Sequence, residues 1–138
     1  MATTTTSNDV LRARSSQNTV TASTTFVAGD AGKEYNIATD ALVMTLPLID
    51  ANNIGMTFTF RNTGADGNNI ITLSPNAADG FNGSIANAAA DSVASGVVDK
   101  DLVNTKATAN NGDFVTITAV AATKWYVTGG VGIWASQG

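Results

Sequence analysis

Residues 54–60 read IGMTFTF and residues 114–120 read FVTITAV. In the first run Ile54, Met56, Phe58 and Phe60 fall on one side of an extended chain, with Gly55, Thr57 and Thr59 on the other. In the second, Val115, Ile117 and Ala119 share a side. An apolar residue at every second position marks a strand with one buried face, because successive side chains of an extended chain point to opposite faces. Turn formers bound both runs: TGADGNN at 63–69 and NNGD at 110–113. These two runs decide for an all-β chain.

The neighbouring stretches fit the same reading. Residues 70–73 (IITL) follow the first loop and are expected to return as the hairpin partner of 54–60. Residues 42–48 (LVMTLPL) are more uniformly apolar, which suggests burial on both faces, with Pro47 ending the ladder or sitting on an edge. Residues 19–28 (TVTASTTFVA) are β-branched with one Phe; a turn at 29–32 follows, and then Tyr35 and Ile37 alternate with polar neighbours. After a turn at 121–124, WYVT (125–128) returns, Gly129–Gly130 breaks the strand, and VGIWA (131–135) closes the chain. Residues 74–83 are turn-rich and carry Phe81. Over 86–103 the alanines would permit a helix, but Gly96, the Val97–Val98 pair and the missing apolar stripe argue against one. Residues 84–112 are expected to form a long excursion with one or two short strands. No internal repeat is visible. The sum is about seven to nine short strands, the pattern of a single-domain β-sandwich or jelly roll over 19–138.

Composition removes several function classes. Thr (20), Ala (22), Asn (14) and Gly (13) make up half of the 138 residues, charged residues are 13%, and Glu34 is the single glutamate. With no Cys there is no thiolate nucleophile, disulfide framework or Cys-ligated metal. With no His there is no His-based triad and no histidine zinc site. The net charge of −4, without a Lys/Arg cluster, argues against nucleic-acid binding. Apolar runs fall far short of the roughly 18–20 residues that span a bilayer, so no membrane partner is expected. The N-terminal residues also lack the apolar core of a secretory signal.

The remaining candidate chemistry is thin. Asp66 in GADGNN offers oxygen ligands, but the full calcium-loop pattern is absent and a plain turn selects the same residues. Asp79, Asp91, Asp99 and Asp101 could supply the carboxylate pair of a glycosidase, though nothing in the sequence sets two of them face to face. Gly129–Gly132 (GGVG) lacks the Lys-Ser/Thr of a phosphate loop. Trp125, Tyr126 and Trp134 could stack on a sugar ring or fill the core. No enzyme activity, metal or cofactor is expected.

Residues 1–18 (MATTTTSNDVLRARSSQN) differ from the rest. Val10 and Leu11 are their only large apolar residues after Met1, too little burial to offset the entropy of ordering. Fully extended, such an arm reaches roughly 60 Å. The preferred reading lays it across a partner subunit; the alternative folds it back on its own domain. Arg12 and Arg14 project on one side of an extended arm and Leu11 on the other, so the arginines either pair with a partner's carboxylates or keep the arm soluble. The candidate contact residues are Thr3, Thr4, Thr5, Val10, Leu11, Arg12 and Arg14.

A run of segments carries a resemblance: ALVMTLP (41–47), MTFTFRNTG (56–64), NIITLSP (69–75), DGFNG (79–83) and GDFVTITAVAATKWYVTGGVG (112–132). Over about residues 33–134 this layout resembles tailed-bacteriophage virion proteins, and most of all the small jelly-roll decoration (cement) proteins of phage capsids. Phage fibre and spike modules share similar segments but sit in longer chains, so a 138-residue sequence with its own Met1 is read as a whole decoration protein. The resemblance implies a homodimer or homotrimer on the outer surface of the capsid, bound to the major capsid protein and stabilising the shell. The competing reading is a fibre or receptor-binding module that recognises surface glycans.

Overall fold

The computed structural model describes residues 16–85 and 96–137. Within them the chain runs through β1 (Gln17–Val20), β2 (Thr24–Thr25), a single 3-10 turn (Ala28–Asp30), β3 (Lys33–Ile37) and β4 (Leu42–Thr45). β5 (Thr57–Asn62), β6 (Ile71–Ser74), β7 (Gly80–Asn82) and β8 (Asp101–Asn104) follow. β9 (Phe114–Ala121), β10 (Lys124–Val131) and β11 (Trp134–Gln137) close the chain. Two sheets pack face to face as a β-sandwich: sheet A in the order β1-β3-β5-β9-β10-β7, sheet B in the order β11-β8-β6-β4-β2.

The first six strands alternate between the sheets. β1, β3 and β5 pair in parallel in sheet A, and β2, β4 and β6 pair in parallel in sheet B. The chain thus descends sheet A and climbs sheet B three times, winding as a flattened coil. We call the end where β3 and β5 begin the upper end, and the opposite one the lower end. The later strands lock this coil with antiparallel pairs, β9 against both β5 and β10, and β8 against both β6 and β11. Mixed pairing of this kind sets the sandwich apart from a wholly antiparallel one.

The period-two pattern explains the core. Phe58 and Phe60 of β5, Tyr35 and Ile37 of β3, and Val115, Ile117 and Ala119 of β9 all point inward and are buried. From sheet B, Leu42, Met44, Ile71, Leu73 and Leu102 meet them. Aromatic rings fill the centre: Phe58 and Phe60 stack at 5.9 Å, while Phe26 meets Tyr35 edge-on at 4.7 Å. Phe58 also meets Trp125 edge-on at 5.9 Å. Each such buried ring contributes on the order of 1.5–3 kcal/mol of transfer free energy.

Several local expectations change. There are eleven strands among the described residues instead of seven to nine, because pieces as short as β2 and β7 still pair. The β-body begins at Gln17, inside the stretch 1–18 assigned to the arm. Residues 54–60 and 70–73 do not form a hairpin: β5 pairs with β3 and β9, and β6 with β4 and β8 in the other sheet. The loop between them crosses from sheet to sheet. Ile54 leaves the buried face and is exposed, since Gly55 at φ +99° turns the chain before β5 starts. Residues 42–48 are buried on one face only, with Val43 and Leu48 exposed. Pro47 does follow the end of the ladder, since β4 stops at Thr45. Gly129–Gly130 does not end its strand; β10 runs on to Val131 through a bulge between Val127 and Gly129. In the 84–112 excursion β8 is one short strand, and residues 86–95 lie outside the described residues.

Candidate functional site

The contact residues assigned to the arm, Thr3, Thr4, Thr5, Val10, Leu11, Arg12 and Arg14, lie outside the described residues. The structure does define how the chain enters the body at Ser16. The Ser16 carbonyl accepts the Glu34 N–H at 3.0 Å, so the chain is already aligned with β3 one residue before β1. β1 is the outermost strand of sheet A on that side, and β2 is the outermost strand of sheet B. Among the described residues the coil therefore ends on two outermost strands, on the side where the described chain begins. Free strand edges carry unpaired N–H and C=O groups and invite pairing with another segment.

A groove of about 320 Å³ runs between these edges, lined by Asn18–Ala22, Thr24, Phe26, Asp30 and Tyr35. Phe26 and Tyr35 are buried and form an aromatic floor, while Asn18, Asp30 and the threonines supply a polar rim. The Tyr35 hydroxyl donates to the Asp30 carbonyl at 2.5 Å. Burial, and then the nearby Asp30 charge, push the Tyr35 phenol above its ordinary pKa. The outer face of sheet A beside the groove is stiffened by polar contacts. Gln17 donates to Glu34, Asn36 donates to Gln17 at 3.0 Å, and Arg61 lies 3.6 Å from Glu34. Arg61 also covers the Phe114 ring at 5.3 Å. Two threonine pairs, Thr57–Thr118 at 3.0 Å and Thr59–Thr116 at 2.8 Å, continue this face across β5 and β9.

The carboxylates are spent on backbone. Asp66 accepts the Asn111 N–H at 2.7 Å and so ties two lower loops together. Asp79 is fully buried, and its Oδ2 accepts the Ile49 N–H at 2.9 Å while Oδ1 has no partner among the described residues. Burial pushes its carboxyl above the ordinary range, with the Ile49 bond opposing. Asp99 takes φ +57° beside β8, Asp101 begins β8, and Asp91 lies outside the described residues. Among the described residues no three His, Cys, Asp or Glu side chains are grouped so as to hold a metal ion. Likewise, no helix there is long and apolar enough to cross a membrane.

Trp125 and Trp134 are fully buried, and the Trp134 indole donates to the Val131 carbonyl at 3.2 Å. Of the three aromatic residues weighed for sugar stacking, only Tyr126 reaches the surface. Two of the three glycines of GGVG serve packing: a Cβ on Gly130 would press on Ile85 and the Phe114 carbonyl, and one on Gly132 would strike Asp113, while one on Gly129 would meet nothing within 4 Å.

A buried polar chain that the sequence reading missed crosses the lower end. Asn69 donates to the Asn62 Oδ1 at 3.1 Å, Asn62 donates to Asn104 at 2.9 Å, and Asn104 donates to Asp113 at 2.9 Å. Asn104 also donates to the Ile133 carbonyl at 3.1 Å, and Asp113 accepts the Asn110 N–H at 2.9 Å. Asn62 belongs to sheet A and Asn104 to sheet B, so the chain of bonds staples the two layers. All four side chains are buried. The available signal was an Asn closing each of two strands, FTFRN and DLVN.

Comparison of the sequence with protein-family models and with curated proteins finds no match.

Proposed function

We propose that the protein is a structural component of a tailed-phage virion, a decoration protein that binds the outer surface of the major capsid protein shell and stabilises it. The observation that supports this reading is that β1 and β2, beside the start of the described chain, are the outermost strands of their sheets among the described residues. A rigid sandwich supplies the anchor, and an extended arm supplies reach. Extended segments gain affinity by adding to exposed strand edges through main-chain hydrogen bonds. As a homodimer or homotrimer, the protein would place several such arms on neighbouring shell subunits, and linked contacts are lost only when all break together. Thr3, Thr4, Thr5, Val10, Leu11, Arg12 and Arg14 are the proposed contact residues, with the two arginines pairing carboxylates on the shell. No catalytic role, metal or cofactor is assigned.

The glycan-binding alternative is weakened by the burial of Trp125 and Trp134, which leaves Tyr126 alone as a platform. The test is co-sedimentation of the purified protein with phage heads that lack it, comparing the parent with an Arg12→Ala/Arg14→Ala variant. Binding by the parent and weaker binding by the variant are expected. A parent protein that stays in the supernatant would refute the proposal.

A further inference from the structure

The two ends of the sandwich differ in character. Nine large apolar residues are exposed among the described residues, and six of them stand at the upper end: Val27, Leu48, Ile54, Val97, Val98 and Val120. The other three, Val43, Tyr126 and Val131, are dispersed over the two outer faces and the lower end of β10. The lower loops at 38–41, 63–69 and 105–112 hold no apolar residue larger than alanine.

Hydrogen bonds tie the loops that carry these six into one surface. The Gly55 N–H donates to the Ala119 carbonyl at 2.7 Å, which sets Ile54 beside Val120. Asn53 donates to the Leu48 carbonyl at 2.8 Å, so the crossing 46–56 folds back on itself and carries Leu48 and Ile54 together. The Gly32 N–H donates to the Thr57 carbonyl at 2.7 Å and seats the crossing 26–32, with Val27, against the start of β5. On the other side Asp79 accepts the Ile49 N–H through Oδ2 and the Asp99 N–H through its carbonyl, each at 2.9 Å. Val98 pairs with Gly80 next to it.

Asp79 is an independent pointer to this end. It is fully buried, and its Oδ1 has no partner among the described residues. A buried carboxyl oxygen left without a partner costs stability, and such departures from core rules concentrate at functional sites. Here the departure holds the two loops that display Leu48 and Val98. The size of the surface decides what it fits. Six strands at ~4.8 Å spacing, in two layers roughly 20 Å deep with their side chains, give an end of about 600 Å². A stable pair of proteins needs about 800 Å² on each side, so two copies joined through this surface alone fall short. One contact among several on a shell needs less, because linked contacts act together.

We propose that the upper end of the sandwich, centred on Leu48 and Ile54, seats on an apolar patch of the major capsid protein. The inference rests on the decoration reading and deepens it: the body of the protein, and not its N-terminal residues alone, grips the shell. Held by its own hydrogen bonds, the surface needs little ordering on contact.

The test is co-sedimentation of the full chain with phage heads that lack it, over a range of concentrations. The parent is compared with Leu48→Asp/Ile54→Asp and with Val131→Asp, a control at the lower end. Melting temperatures check that each variant is folded, and Leu48→Ser/Ile54→Ser is the milder pair should the aspartates unfold the crossing. Val131→Asp is expected to bind as the parent does. The upper-end variant is expected to bind at least about tenfold more weakly, the effect of two half-exposed aliphatic side chains losing their burial. Upper-end variants that bind like the parent overturn this inference and leave the decoration reading standing. A parent that stays in the supernatant overturns both. Analytical ultracentrifugation of the free protein separates the other occupant: a parent oligomer that the upper-end variant turns into monomer makes the surface a self-interface and overturns the shell contact.

Discussion

Gly132→Ala is the sharpest single-residue test of how the lower end is held. Gly132 adopts φ +102°, and a Cβ there would lie 2.2 Å from the Asp113 Cγ and within 2.6 Å of both carboxylate oxygens. Asp113 is buried, and its Oδ2 holds the Asn104 side chain and the Asn110 N–H, each at 2.9 Å. Moving the carboxylate breaks two hydrogen bonds to a charged acceptor, at about 1.5–3 kcal/mol each. The left-handed backbone conformation adds about 1–2 kcal/mol for a residue with a Cβ. The expected loss is about 4–8 kcal/mol, a large share of the ~5–15 kcal/mol that holds a domain folded. For a chain of 138 residues the unfolding entropy corresponds to a shift of roughly 3.4 °C per kcal/mol. The melting temperature by differential scanning calorimetry should therefore fall by roughly 14–27 °C. Gly29→Ala is the control, because a Cβ there meets nothing within 4 Å and φ is not positive; it should melt within a few degrees of the parent. Adding Asp113→Ala to Gly132→Ala should cost less than the two single changes together, since the clash has lost its target. A Gly132→Ala protein that loses under about 1 kcal/mol would refute the reasoning, as would strict additivity in that cycle.

Three other outcomes are expected. Asp79→Asn should raise stability at neutral pH, because burial holds the folded carboxyl above its unfolded pKa and ionisation is disfavoured in the folded state. That cost is absent below the unfolded value of about 3.9 and grows as pH rises toward the folded value; melts from pH 3 upward should show the gain of the variant appearing only above the unfolded pKa. Lys106→Ala should return the Asp40 carboxyl, now held below its ordinary value chiefly by its bond to Lys106, toward that value in an NMR titration. Both side chains of that pair are well exposed, so the melting temperature should barely move. Both tryptophans are fully buried, so their emission should be blue-shifted and resist iodide until the protein unfolds.

Strand-by-strand legibility followed physical range. The alternation in 114–120 depends only on neighbours two apart, and β9 buries Val115, Ile117 and Ala119 as that spacing implies. The same rule failed at Ile54 because Gly55, at positive φ, breaks the extended chain that the rule assumes. Pairing was harder to read than the strands themselves. A hairpin announces itself in its turn, but the parallel partners Tyr35 and Phe60 are 25 residues apart with a strand of the other sheet between them, and no local residue encodes that. The exposure of Val43 and Leu48 shows that β4 covers the core with one face only, which an apolar run cannot distinguish from full burial. Asn69 and Asp113 fall in runs read as turns, and nothing singled out Asn62 or Asn104; the role of the four depends on two loops and two sheets converging, a property of the tertiary fold alone. At the site, the position of β1 and β2 as the outermost strands among the described residues followed from topology, while Trp125 and Trp134 sided with core packing over sugar stacking.

The central claim is that the sandwich and its arm serve to hold a capsid shell together. The most direct measurement heats phage heads lacking the protein, with and without the purified chain added back, and follows shell rupture by release of packaged DNA. The account predicts that the added protein sediments with the heads in a fixed ratio to the major capsid protein and raises the rupture temperature. Heads that bind none of it, or bind it and rupture at an unchanged temperature, would contradict the account.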